Sequence, residues 1–229
     1  MWRLVWAFLL VACCATIPSP PVVPKPVTIQ DLLYMTVALT EDGQLRCAGV
    51  WVSESEFLTA GHCVKFLGLN PIEQQLRTES LVAFPDYDPI GKTAHWQARS
   101  DDKDRTGVLV RYSEVHDLGL VSVSDPPAHP IAKLRSKPVF QGDPVHLVGH
   151  PMGSLWSYTH GFVSNPQVSL GLDEPRLQLD ASINHGDSGG GAFDVDGNLV
   201  GVCSFMATSV NALSWWVPVN LIGPFLAKK

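Results

Sequence analysis

Asn184-His-Gly-Asp-Ser-Gly-Gly-Gly191 is the stretch that decides the fold, a serine set among four glycines. Glycine has no Cβ, so such a loop can turn sharply and bring its backbone close to whatever it faces.

Two further motifs lie toward the N-terminus. Ala48-Gly-Val-Trp-Val-Ser-Glu-Ser-Glu-Phe-Leu-Thr59 reads as a hairpin, and it runs into Leu58-Thr-Ala-Gly-His-Cys63, where a short helical turn near Ala60 to Val64 carries His62. In Val115-His-Asp-Leu-Gly-Leu-Val-Ser-Val123, Asp117 stands at the head of an alternating apolar strand. A histidine, an aspartate and a serine thus follow in that order, each at the edge of an apparent strand.

Elsewhere the pattern is one of short apolar or alternating runs bounded by turn residues: Met35 to Leu39, Gly107 to Tyr112, Val145 to Val148, Leu199 to Phe205. That predicts an all-β chain whose only other helix is near Val219 to Ala227. Four prolines between Ser124 and Pro138 predict a linker. The polar stretch Glu73 to Arg105 predicts long surface loops on the first unit.

These motifs resemble the chymotrypsin-like serine peptidases, and in style the bacterial high-temperature-requirement type. Gly142-Asp-Pro-Val-His-Leu-Val-Gly-His-Pro151, Thr159-His-Gly-Phe-Val-Ser164 and Trp215-Trp-Val-Pro-Val-Asn-Leu-Ile222 look like second-barrel strands of that group. The resemblance implies two antiparallel six-stranded β-barrels with the active site between them: a first barrel over 27–125, a linker over 126–138, and a second barrel with a short C-terminal helix over 139–229. The chain ends soon afterwards, so no PDZ domain is expected. Also implied are a triad of His62, Asp117 and Ser188, an oxyanion hole of the Gly186 and Ser188 amides, and a disulfide between Cys47 and Cys63. The activity implied is peptide-bond hydrolysis through an acyl-enzyme, without a cofactor or metal. The alternative is a catalytically inactive module of the same fold that binds protein.

Ser182, six residues before Ser188, matches the base of the primary specificity pocket. It is not the aspartate of trypsin-like enzymes, which argues against strict basic specificity. Ser204, Phe205 and Met206 match the strand that pairs with substrate, Ile183 lines the pocket, and His185 stands at its rim, so small to medium apolar side chains are expected. Cys203, without a mate, reads as a small buried hydrophobe. His116 reads as structural, and His146 and His150, four apart but in strand and turn, as no metal pair. Without an Ile-Val-Gly-Gly start, Asp187 needs an internal donor.

At the N-terminus Arg3 precedes the apolar run Leu4 to Ala12, which fits a signal peptide over 1–12 and is too short to span a bilayer. Leu10-Val-Ala-Cys13 resembles the bacterial lipobox, which would make Cys13 a lipidation site; the other reading is a signal cleaved near Ala15. Five prolines between Ile17 and Pro26 read as a stiff spacer within 13–26. The expectation is an exported protein of the cell envelope, lipid-anchored to a bacterial membrane or else secreted or periplasmic. A net charge of -6 and 45% apolar residues argue against nucleic acid as a partner and against disorder. The expected partners are protein or peptide substrates and, through the lipid alone, the membrane; the expected state is monomeric.

Overall fold

The computed structural model describes residues 26–69, 73, 87–101, 103–206 and 213–228. The expectations for the signal peptide, Cys13 and the spacer as far as residue 25 lie outside them. Among the described residues no helix is long and apolar enough to cross a membrane.

Strands β1 (Thr36–Glu41), β2 (Gln44–Trp51), β3 (Glu56–Ala60), β4 (Thr93–Ala98), β5 (Asp104–Ser113) and β6 (Leu118–Ser122) close a barrel in the order β1-β2-β3-β6-β5-β4. A second barrel, ordered β10-β11-β12-β9-β8-β7, uses β7 (Pro144–Gly149), β8 (Ser157–Val168), β9 (Arg176–Asp180), β10 (Gly191–Phe193), β11 (Leu199–Met206) and β12 (Leu213–Pro218). All neighbouring strands are antiparallel, and closure gives every strand a neighbour on both sides. This is the expected double barrel.

Each barrel is filled by its own inward-facing side chains. Trp51, Phe57, Trp96 and Leu109 fill the first, and Leu147, Leu177, Leu179 and Trp216 the second. A third apolar cluster joins them: Val50, Leu58 and Leu118 from one side meet Val148, Phe193 and Val202 from the other. That shared core fixes the barrels against each other, and hence the geometry of any site between them. Helix α3 (Val219–Ala227) adds Ile222 and Phe225 to it, and the Arg111 guanidinium of the first barrel donates to the carbonyls of Phe225 and Leu226 at 2.8 and 3.0 Å. A cation on the last orphan carbonyls of a helix is stabilising.

Two local expectations need correction. Thr93–Ala98, inside the stretch read as surface loop, is β4, and Asp104 and Arg105 begin β5. Ala94, Trp96 and Ala98 are buried while Thr93 and His95 are exposed, so a strand's alternation was hidden by small residues among polar ones. Helix α1 (Ile29–Tyr34) was not anticipated. Thr28 and Asp31 cap it reciprocally, a signature present in the sequence.

Candidate active site

His62 sits on α2 (Gly61–Val64), a single turn between β3 and the loop that follows. Four residues cannot hold a helix by themselves, so the turn is held from outside. The Cys47–Cys63 disulfide ties it to β2, with Cα atoms 6.2 Å apart. The His62 amide donates to Asp117 Oδ1 at 2.8 Å. Closing a loop of this size stabilises a fold by about 3 kcal/mol.

Asp117 precedes β6 with φ +56°, a left-handed conformation that aspartate tolerates better than most residues. Both its oxygens lie 3.1 Å from His62 Nδ1, and Oδ2 also accepts from the Ser204 hydroxyl at 2.5 Å. Burial, the largest single influence, pushes its carboxyl up. The hydrogen bond and charge of the His62 imidazole, the Ser204 hydroxyl and the His62 amide outweigh burial and hold the group below its ordinary value. An ionised carboxylate can only accept, so it fixes the hydrogen on Nδ1 and leaves the lone pair of a neutral His62 on Nε2.

The serine loop runs between the barrels. The Ala48 amide donates to the Ser188 carbonyl at 2.8 Å, and the Gly189 amide to the Cys203 carbonyl at 2.8 Å. Gly189 has φ +84°, and a Cβ there would lie 2.2 Å from the Ala48 carbonyl oxygen, so no other residue fits. Gly186 has φ +103° and is equally confined, with the His150 carbonyl oxygen 2.2 Å from where its Cβ would be. The His185 carbonyl accepts from the Met152 amide at 2.8 Å, which fixes the peptide that carries the Gly186 amide. Among the described residues, the amides of Gly186 and Ser188 donate to no protein group.

His62, Asp117 and Ser188 line one cleft of about 560 Å³, together with Ile183, His185 and Phe205. No hydrogen bond joins His62 Nε2 to the Ser188 hydroxyl among the described residues; such contacts often tighten only when substrate is bound. On the other side, His62 borders an 810 Å³ cavity along β1 and β4. Ser204 and Met206 line the cleft too, but Ser182 does not: it lines a separate 230 Å³ cavity with Ile183, Asn184 and Asp187. Strand β10 pairs with β11 only as far as Val202, so among the described residues Ser204 to Met206 have no strand on that side. A bulge between Cys203 and Phe205 accompanies the turn of the Ser204 hydroxyl to Asp117.

The internal donors to Asp187 are main-chain amides, those of Asn184 at 2.7 Å and of His150. Burial dominates and pushes its carboxyl up to about 6. His150 is fully buried. Its Nε2 lies 3.1 Å from the Val37 carbonyl of the first barrel, and its Nδ1 accepts from the Trp156 amide at 3.0 Å. A carbonyl only accepts and an amide only donates, so the ring is neutral with its hydrogen on Nε2; burial holds it down at about 4. His146, by contrast, bonds to the Tyr158 hydroxyl, and His116 to Ser113. Burial pushes the Cys203 thiol well up, the charges of Asp187 and Asp117 adding to it, which leaves it inert. The Cys47 and Cys63 sulfurs lie near His62, but joined to each other they offer no thiolate to a metal.

A family model described as a trypsin-like peptidase domain matches residues 47–202. A serine protease HtrA-like of Staphylococcus epidermidis is 29% identical over 136 residues, 52% of this chain and 23% of that protein. Serine protease HTRA1 of Xenopus tropicalis is 31% identical over 137 residues, 57% of this chain and 29% of that protein. The chain therefore spans roughly a quarter of the length of these curated relatives. The crystal structure of the serine endoprotease from Yersinia pestis superposes with a TM-score of 0.62 at 19% identity, covering 89% of this chain and 66% of that one. With the match extending over more than half its length, the chain belongs to the family of trypsin-like peptidase domains.

Proposed function

We propose that this chain is a serine endopeptidase in which His62, Asp117 and Ser188 act as a triad. The observation that carries the reading is the His62–Asp117 pair, Nδ1 between two carboxylate oxygens at 3.1 Å, on the same cleft as Ser188. His62 Nε2 takes the proton of the Ser188 hydroxyl as its oxygen attacks the scissile carbonyl. Asp117 stabilises the imidazolium that forms. The oxyanion accepts from the Gly186 and Ser188 amides, each donor contributing about 2.7–4 kcal/mol to the transition state. His62 then protonates the leaving amine, and water, activated by the same ring, hydrolyses the acyl-enzyme.

The peptide lies along the open edge of Ser204 to Met206 as an added strand. Ile183 and Met206 favour a small to medium apolar side chain next to the cut. The Cys47–Cys63 disulfide supports an oxidising, extracytoplasmic location. Export by the leader, lipid on Cys13, a spacer to residue 26, barrels divided at 126–138 and a monomeric state complete the proposal. Incubation with unstructured peptides tests the activity: wild type cuts after apolar residues and Ser188→Ala does not. Equal cutting by both, or none by a folded wild type, would favour the binding module instead. Incorporation of labelled lipid that persists in Cys13→Ser would contradict the anchor.

A further inference from the structure

Among the arginines of the described residues, Arg176 is the most deeply enclosed. Arg105 forms a two-pronged pair with Asp101 at 2.8 and 2.5 Å, Arg135 reaches Asp143 at 2.6 Å, and Arg111 holds two helix carbonyls at 2.8 and 3.0 Å. Arg176, the first residue of β9, is 3% exposed. Among the described residues its guanidinium has two carbonyl contacts, Glu174 and Val115, both at 3.4 Å, the outer limit of a hydrogen bond. Its Nε has no hydrogen-bond partner among the described residues, and it takes part in no ion pair with any of them.

A buried cation with no ionic partner is costly to maintain, and a carboxylate is the group that would relieve it. Burial is the main influence on this guanidinium and holds it below its ordinary value; Asp117 and Glu174 pull the other way only from a distance. Asp117 is already engaged by His62 and Ser204. Arg176 borders the same cleft as Ser188, on a wall whose Val115, Leu172 and Phe205 side chains are exposed and apolar. A polar group with a vacant donor behind an apolar rim suits a side chain that has methylenes and ends in a carboxylate.

We propose that Arg176 forms the floor of a carboxylate-binding subsite, so that the peptide held in the cleft presents an acidic side chain, glutamate above aspartate, to its guanidinium. The long contacts leave the fork free to turn toward a stronger acceptor. This inference rests on the cleft being a peptide site, but not on its cutting the peptide.

The test therefore uses Ser188→Ala, which cannot hydrolyse what it binds. A fixed neutral peptide carries glutamate or glutamine at each position in turn, and binding is read by fluorescence anisotropy at pH 8, where ordinary histidines are neutral. At one position glutamate should bind at least about tenfold tighter than glutamine, the scale of a hydrogen bond to a charged group. The preference should disappear on adding Arg176→Met and persist on adding Lys65→Met, Lys65 being the lysine among the described residues that line this cleft. Equal binding of both peptides at every position overturns the proposal even if Arg176→Met fails to fold. So does a preference that survives Arg176→Met or is lost with Lys65→Met. Failure of the parent chain to cut peptides would count against the endopeptidase and leave this preference in place.

Discussion

The first barrel's His62–Asp117 corner and the second barrel's His150–Asp187 loop use the same two residue types to opposite ends. In the first, carboxylate and imidazole face each other at 3.1 Å, the acid is held below its ordinary value, and the ring opens onto a cleft. In the second they never pair by their side chains. Asp187 takes main-chain amides and rises to about 6, while His150 sits between a carbonyl and an amide and falls to about 4. What each group meets, more than its identity, decides whether it faces a partner on a cleft or holds a loop. Here the loop it holds is the one that carries Gly186.

The largest expected contrast is in rate. His62→Ala should lower kcat/KM for a peptide by about 10⁶-fold, and Asp117→Asn by about 10⁴-fold through the wrong tautomer. His150→Gln should cost far less, because His150 touches no reacting atom. A loss for His150→Gln as large as that for His62→Ala would erase the distinction between the two regions.

Next comes stability against pH. Asp187 has a raised pKa, so the stability it contributes is full below its unfolded value near 4 and is lost as pH rises through about 6. His150 has a lowered pKa, so its contribution is full above the ordinary value near 6.5 and is lost as pH falls through about 4. Each is worth about 3 kcal/mol, and over pH 4 to 6 they oppose and mask each other. Thermal melts should reveal each alone. Asp187→Asn should become less stable on acidification across that window, and His150→Gln more stable. Parallel curves for wild type and both variants would show that neither group is perturbed as described.

The smallest effect belongs to Ser204. Its hydroxyl helps hold Asp117 ionised and in place, so Ser204→Ala should lower kcat/KM by about tenfold, the scale of one charged hydrogen bond. An unchanged kcat/KM would mean that His62 alone holds the carboxylate.

The local parts of this design were legible in the sequence. The hairpin ending at Thr59, the turn carrying His62, the strand after Asp117 and the helix from Val219 to Ala227 each announce themselves within a few residues. The disulfide came from the family resemblance and is present. The rest depends on contacts no window contains. Ser204 reaches Asp117 across 87 residues, and His150 reaches Val37 across 113. Arg176 is notable for partners it lacks, which only a folded chain reveals. Strand β4 was missed for a different reason: its inward face is Ala94, Trp96 and Ala98, and alanine carries little strand signal.

On the proposed mechanism, the His62–Asp117 pair across the cleft activates Ser188 chemically. Its most direct measurement is the intact mass of the folded chain after exposure to a fluorophosphonate, with the modified residue located by fragmentation. One adduct is expected, on Ser188, slowed severely in His62→Ala and absent in Ser188→Ala; a folded wild type that stays unmodified, or is modified at another serine, would show that the pair does not activate Ser188.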